Sequence, residues 1–196
     1  MVAGFLYIGI CPAAKSRFFV IYYRSVTLAD GMDSKLQSHI FCAIIPTRKR
    51  GISMYKILFL CHGNICRSPM GEFILKDMVQ KRGLAGRFEI ASAAVSTEEI
   101  GNPVYPPARR ELQRHGIGCE GHAAHQITRA ELAHYDHIFY MDASNARLLR
   151  RLFGDAAAKC RPLLERDVAD PWYTGDFTQT YNDIVEGCRR ILEELC

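Results

Sequence analysis

The stretch LFLCHGNICRSPM, Leu58 to Met70, constrains the fold more tightly than any other part of the chain. An apolar run passes into small residues and then into a Ser-Pro pair, the pattern of a buried strand, a tight loop and a helix start. Successive backbone N–H groups and the helix N-terminus then point at one place, which suits an anion such as phosphate. Two cysteines, Cys61 and Cys66, flank the Gly-Asn pair of that loop.

From Met54 onward, strand-like and helix-like periodicities alternate, as in a parallel α/β domain. Tyr55–Leu60, Phe88–Ala93 and His137–Met141 predict strands. Ser68-Pro69 predicts a helix with Pro at its first position, its Met70, Phe73, Ile74, Met78 and Val79 on one face and Gly83 as its stop. Pro106-Pro107 opens a helix to His115 that ends at Gly116, Thr128 caps a short one, and Ser144–Phe153 forms another. Phe177, Tyr181, Ile184, Val185, Cys188, Ile191, Leu192 and Leu195 make the stripe of a long C-terminal helix.

Residues 1–53 differ. Their apolar runs, Gly4–Ile10 and Phe18–Tyr23, are too short for the roughly 18 apolar residues of a membrane span, and the first basic residue, Lys15, follows the first run instead of preceding it as in a secretory signal. Met54 is a plausible start immediately before the first strand. The expectation is therefore an N-terminal extension over 1–53, poorly ordered or a mis-called start, and one catalytic domain over 54–196. The formal charge of +4 resides in the extension, which carries +5, while the remainder carries −1. That distribution gives no indication of a nucleic-acid or membrane partner for the main domain.

Eight cysteines at irregular spacing in a chain of 196 residues without a clear secretory signal suit reduced thiols rather than a disulfide framework. No paired C-x-x-C units or helical H-x-x-x-H occur, so no metal site is expected. The spacing C-x5-R lets a phosphate-cradling loop hold a thiolate and a cation on one ligand. Chance alone gives about 0.7 such matches in this composition, and the chain has four, beginning at Cys11, Cys42, Cys61 and Cys160. Only CHGNICR has Gly and Asn, which tolerate left-handed backbone, and only it lies between an apolar strand and a helix start.

CHGNICRSPMGE resembles the signature of the low-molecular-weight protein tyrosine phosphatases. The likeness extends through SAAVSTEEIGNP (Ser92–Pro103), RHGI (Arg114–Ile117), MDASN (Met141–Asn145) and DPWY (Asp170–Tyr173), in the family's order. The resemblance implies an α/β three-layer sandwich, with a four-stranded parallel sheet, helices on both faces and the phosphate-binding loop after the first strand. It also implies hydrolysis of protein phosphotyrosine and small aryl phosphates through a phospho-cysteine, with no cofactor and no metal, in the cytoplasm.

By the same resemblance Cys61 is the nucleophile, its thiolate stabilised by the helix N-terminus and Arg67. Backbone N–H groups of His62, Gly63, Asn64, Ile65, Cys66, Arg67 and Ser68 hold the phosphoryl oxygens, and Arg67 clamps two of them. Asp170 protonates the leaving oxygen and later activates water. Asn64, Ser68, Ser92 and His122 match the supporting hydrogen-bond network. Trp172 and Tyr173 match the aromatic pocket wall, which His62 and Glu98 complete. Cys66 lines the loop and is also a candidate partner for oxidised Cys61.

His62 and Glu98 depart from the apolar and aromatic residues common at their positions, and a carboxylate at the rim would repel acidic phosphopeptides. The rivals are an arsenate reductase of the same fold, which needs a further redox cysteine pair absent from Phe139–Arg147, and an idle phosphotyrosine-binding module, which would lack the nucleophile or the acid. A sulfur-transfer enzyme would not need Asp170.

Overall fold

The computed structural model describes residues 54–196, and the backbone of residues 4–10 and 19–25. The chain divides into two units, Met1–Arg50 and Gly51–Cys196. In the first, strands β1 (Gly4–Ile10) and β2 (Phe19–Ser25) pair antiparallel, with Gly4 opposite Ser25 and Ile10 opposite Phe19. Strand β1 coincides with the first apolar run of the extension, and β2 overlaps the second, Phe18–Tyr23, and continues to Ser25.

The second unit is a parallel sheet of β3 (Tyr55–Cys61), β4 (Phe88–Ala94), β5 (His137–Tyr140) and β6 (Cys160–Pro162), in the order β4-β3-β5-β6. Between and after the strands lie α1 (Arg67–Lys81), α2 (Pro106–Arg114), α3 (Arg129–His134), α4 (Ala143–Phe153), α5 (Pro171–Thr174) and α6 (Phe177–Leu195). Strand β3 alternates strictly between two apolar layers, as a pleated strand covered on both faces must. Ile57, Phe59 and Cys61 join Met70, Ile74 and Leu75 of α1, Leu112 of α2 and Ile184, Cys188, Ile191 and Leu192 of α6. Leu58 and Leu60 join Leu132 of α3 and Leu149 of α4 on the other side. The three-layer sandwich expected from the sequence is thus the fold observed.

Strand β3 is central, and the chain leaves it for β4 on one side and β5 on the other. Ligands of open α/β sheets bind beyond the strand C-termini at such a switch in order, which is where Cys61 lies. Helix α1 sits so close to β3 that a Cβ on Gly71 would come within 2.8 Å of the Phe59 ring.

Several boundaries differ from expectation for physical reasons. Helix α1 opens at Arg67, so Pro69 is its third residue, not its first. Proline is tolerated there because first-turn N–H groups have no intrahelical partner. Helix α4 begins at Ala143 because Asp142 caps it, its Oδ1 accepting from Asn145 N–H at 2.8 Å. The fourth strand, β6, carries no sequence signal of its own, being three residues long and ending in Pro162. Helix α1 stops as expected, with Gly83 at φ 68°.

Candidate active site

The loop from Cys61 to Arg67 is held from behind by its carbonyl groups. Those of Cys61 and His62 accept from Val95 N–H at 2.9 Å and Ser96 N–H at 3.0 Å. Those of Ile65 and Cys66 accept from Tyr105 N–H at 2.8 Å and Met70 N–H at 3.1 Å. The Asn64 carbonyl accepts from Nε2 of His122 at 2.8 Å, which requires the proton of that imidazole to sit on Nε2. In a trans peptide the N–H points opposite to the preceding C=O, so outward carbonyls turn the following N–H groups inward. The inward concavity is an anion nest at a helix N-terminus.

Asn64 organises that shape. It is fully buried and is the only non-glycine with positive φ, 59°, among the described residues. Its Nδ2 donates to Oγ of Ser68 and of Ser92, both at 2.9 Å, and its Oδ1 accepts from His125 N–H at 3.3 Å. Ser92 in turn donates to Glu72 Oε2. Ser68 Oγ, already accepting from Asn64, lies 3.0 Å from Cys61 Sγ, and Asn64 N–H donates to the same sulfur at 3.3 Å. Gly63 keeps negative φ, so the loop needs it for space: a Cβ there would come within 2.8 Å of Glu99 Cγ.

Arg67 is 2% exposed. Its Nη1 donates to Asp142 Oδ2 and to the Val168 carbonyl at 3.1 Å, and its Nη2 donates to Asp170 Oδ2. Burial alone would lower the guanidinium pKa, but the charges of Cys61 and Asp170 and the bond to Asp142 raise it, so this cation is fixed. Burial would likewise raise the Asp142 carboxyl, yet the Asn145 N–H and Arg67 hold it below the usual carboxylate range. Asp170 Oδ1 accepts from Trp172 N–H at 3.1 Å, capping α5. Burial pushes the Cys66 thiol up, with the charges of Cys61 and Asp170 adding to it, so Cys66 is a neutral thiol packed beside Ile65 and Ala124.

A cavity of about 550 Å³ opens over the loop. Cys61, His62, Arg67, Glu98, Asp170, Trp172 and Tyr173, separated by up to 112 positions in the chain, all line it. Ser92 and His122 lie behind the loop and reach the site through Asn64. The other C-x5-R pair in the described residues comes apart, since Cys160 is in β6 while Arg166 pairs with Asp183 and Glu186 of α6. Cys11 and Cys42 lie outside the described residues. All six described cysteines are free thiols.

Sequence reasoning missed Asp142, Glu72 and Glu99. Asp142 had a usable signal, an Asp directly after a strand and three residues before Asn145, which is an N-cap pattern. Glu72 closes the signature CHGNICRSPMGE but drew no role there, because a Glu in a helix is ordinarily a solvated charge.

A cysteine-arginine anion loop at the switch point of a four-stranded parallel sheet defines a class of phosphoryl-transfer enzyme without P-loop or kinase topology. Residues 56–196 match the family "Low molecular weight phosphotyrosine protein phosphatase". The chain is similar to the low molecular weight protein-tyrosine-phosphatase YfkJ of Bacillus subtilis, at 37% identity over 150 residues, spanning 72% of this chain and 96% of that one. It is 35% identical to the human low molecular weight phosphotyrosine protein phosphatase, spanning 70% and 94%. Among solved structures, that of YfkJ aligns with a TM-score of 0.71 at 38% identity over 74% of this chain and 96% of the other. The phosphatase SP-PTP of Streptococcus pyogenes aligns with a TM-score of 0.68 at 35% identity over 73% and 94%. The chain belongs to the low molecular weight phosphotyrosine protein phosphatase family, a family of phosphoric monoester hydrolases.

Proposed function

We propose that this phosphatase hydrolyses phosphotyrosine in proteins, and small aryl phosphates, with Cys61 as nucleophile, Arg67 as phosphoryl clamp and Asp170 as acid. The observation that carries the assignment is the convergence of Ser68 Oγ and Asn64 N–H on Cys61 Sγ beside the buried Arg67. A thiolate can only accept, so with Cys61 ionised the Ser68 hydroxyl turns its proton from the Ala93 carbonyl to the sulfur and joins Asn64 N–H in stabilising it, while the inward loop N–H groups with Arg67 receive the phosphoryl oxygens. A phosphoryl group competes with Asp170 for Nη2 of Arg67, and the carboxylate so released takes up the proton that the bound ester brings as a monoanion and delivers it to the leaving phenolate. Cys61 sulfur attacks phosphorus as the P–O bond to the phenolate breaks, giving phospho-cysteine. Asp170, now a carboxylate, takes a proton from water, whose oxygen displaces the sulfur. Ser92 and His122 hold Asn64 in place, and Trp172 and Tyr173 flank the aryl ring. Cys66 is assigned as the thiol that condenses with peroxide-oxidised Cys61 and releases water. Reduced thiols suit the cytoplasm. Among the described residues no helix is long and apolar enough to cross a membrane.

Hydrolysis of p-nitrophenyl phosphate by the wild type and by Cys61→Ser tests the reading. The wild type should turn over with EDTA present and form a phospho-enzyme on rapid quench. Cys61→Ser should be inactive yet folded, because a hydroxyl is far less ionised than a thiol. Retained activity in that variant, or its loss with EDTA in the wild type, would refute the mechanism.

A further inference from the structure

Resting on the phosphatase reading and narrowing its substrate class, we propose that Glu98 selects phosphotyrosine peptides that carry a basic residue beside the phosphotyrosine. The pocket floor is committed to the phosphoryl group, so discrimination among peptides falls to the lip. Glu98 lines the cavity and its side chain is 68% exposed, which places the carboxylate where the flanking residues of a bound peptide must pass.

The other acidic groups of the lining are engaged. Asp142 and Asp170 hold Arg67, Asp167 Oδ1 accepts from Ala143 N–H at 3.1 Å, and Glu99 Oε2 accepts from Asn102 at 2.6 Å. Glu98 too has a single side-chain partner among the described residues, Nε2 of His62 at 3.0 Å. His62 directly follows Cys61, so this contact ties the carboxylate to the phosphate loop and fixes its reach from the phosphoryl group. The imidazole donates one N–H whether it is neutral or charged, so Glu98 keeps a free oxygen for an ammonium or guanidinium. Among the described residues, Arg147 is the one permanent cation of the lining besides Arg67. The carboxylates of Glu98, Glu99 and Asp167 outnumber it, which leaves the lip anionic.

Three measurements test this. Matched phosphotyrosine peptides with Lys or Glu on both sides of the phosphotyrosine are compared by kcat/KM at low salt. The wild type should favour the Lys peptide about two- to tenfold, the range for gaining one exposed ion pair and avoiding one like-charge contact. The difference should lie in KM with kcat little changed, as for uniform binding, and should shrink as ionic strength rises. Glu98→Gln should reduce the ratio toward one, and Glu98→Lys should invert it. A wild-type preference for the Glu peptide, or a ratio unmoved by Glu98→Gln, overturns the proposal while hydrolysis of p-nitrophenyl phosphate still upholds the phosphatase reading. A wild type inert toward p-nitrophenyl phosphate overturns both.

Discussion

Asp170 divides one carboxylate between two tasks. One oxygen caps α5 through Trp172 N–H, and the other holds Arg67, so the ordinary Asp-Pro turn and the candidate acid are the same residue. Asp170→Ala should slow phenyl phosphate hydrolysis about 10²–10⁴-fold, the usual contribution of a general acid. The loss should shrink as leaving-group pKa falls along a series of aryl phosphates, since a good leaving group departs unprotonated. Equal slowing along the series would assign Asp170 to structure alone. Asp142 makes a pH-dependent contribution. Its folded carboxyl lies below its ordinary value of 3.8, so its stabilisation is present above about pH 4 and is lost as pH falls through the lowered folded value. Asp142→Asn retains a good N-cap but lacks the charge. The Tm difference between wild type and variant should be largest above pH 4 and should narrow as the pH falls below it. A constant difference would show that the ion pair is not its source.

At the scale of the element, the β3–α1 loop owes its shape to Asn64 more than to its glycine. Asn64→Ala removes three hydrogen bonds of the side chain, two of them buried, and leaves the β-carbon at φ 59° without the bonds that offset its strain. Lost partners cost about 1–3 kcal/mol each when groups remain buried, and left-handed backbone about 1–2 kcal/mol. The variant should lose roughly 3 kcal/mol or more in chemical denaturation and most of its kcat. Asn64→Gly relieves the backbone but not the missing bonds, so it should recover only a minor part. Full recovery of kcat in Asn64→Gly would place the function of Asn64 in its backbone. Glu72 extends the network to Lys76 on the surface side of α1, which is why a helix whose first turns are buried on all sides tolerates a carboxylate there.

At the scale of the molecule, every strand of the parallel sheet and every residue of the site lies between Tyr55 and Tyr173. We propose that residues 1–53 are dispensable for catalysis, since they supply no residue of the matched family region, which begins at 56. A protein comprising 54–196 should match the full chain in Tm and in kcat/KM toward p-nitrophenyl phosphate. Aggregation or loss of most activity on truncation would show that the extension belongs to the folded enzyme.

The sequence by itself determined what depends on near neighbours in the chain. The continuous apolar strand Tyr55–Leu60, the Gly-Asn loop, the Thr128 cap and the stripe of α6 are each set within one or two turns of backbone, where steric and periodic rules act directly. Asp170 and Ser92 were legible only as parts of family motifs and His122 only as a position matching the family's supporting network, because an isolated Asp, Ser or His has many ordinary uses. Tertiary structure alone decided the remainder. Strand β6 exists because β5 offers an edge for Cys160–Pro162 to pair with. Asp142 and Asp170 became partners of one guanidinium 75 and 103 residues away, and Glu98 met His62 across 36 residues. Such pairings arise when parallel strands bring their C-terminal ends to one edge of the sheet, and no local pattern of residues encodes a distance that only the closed sheet creates.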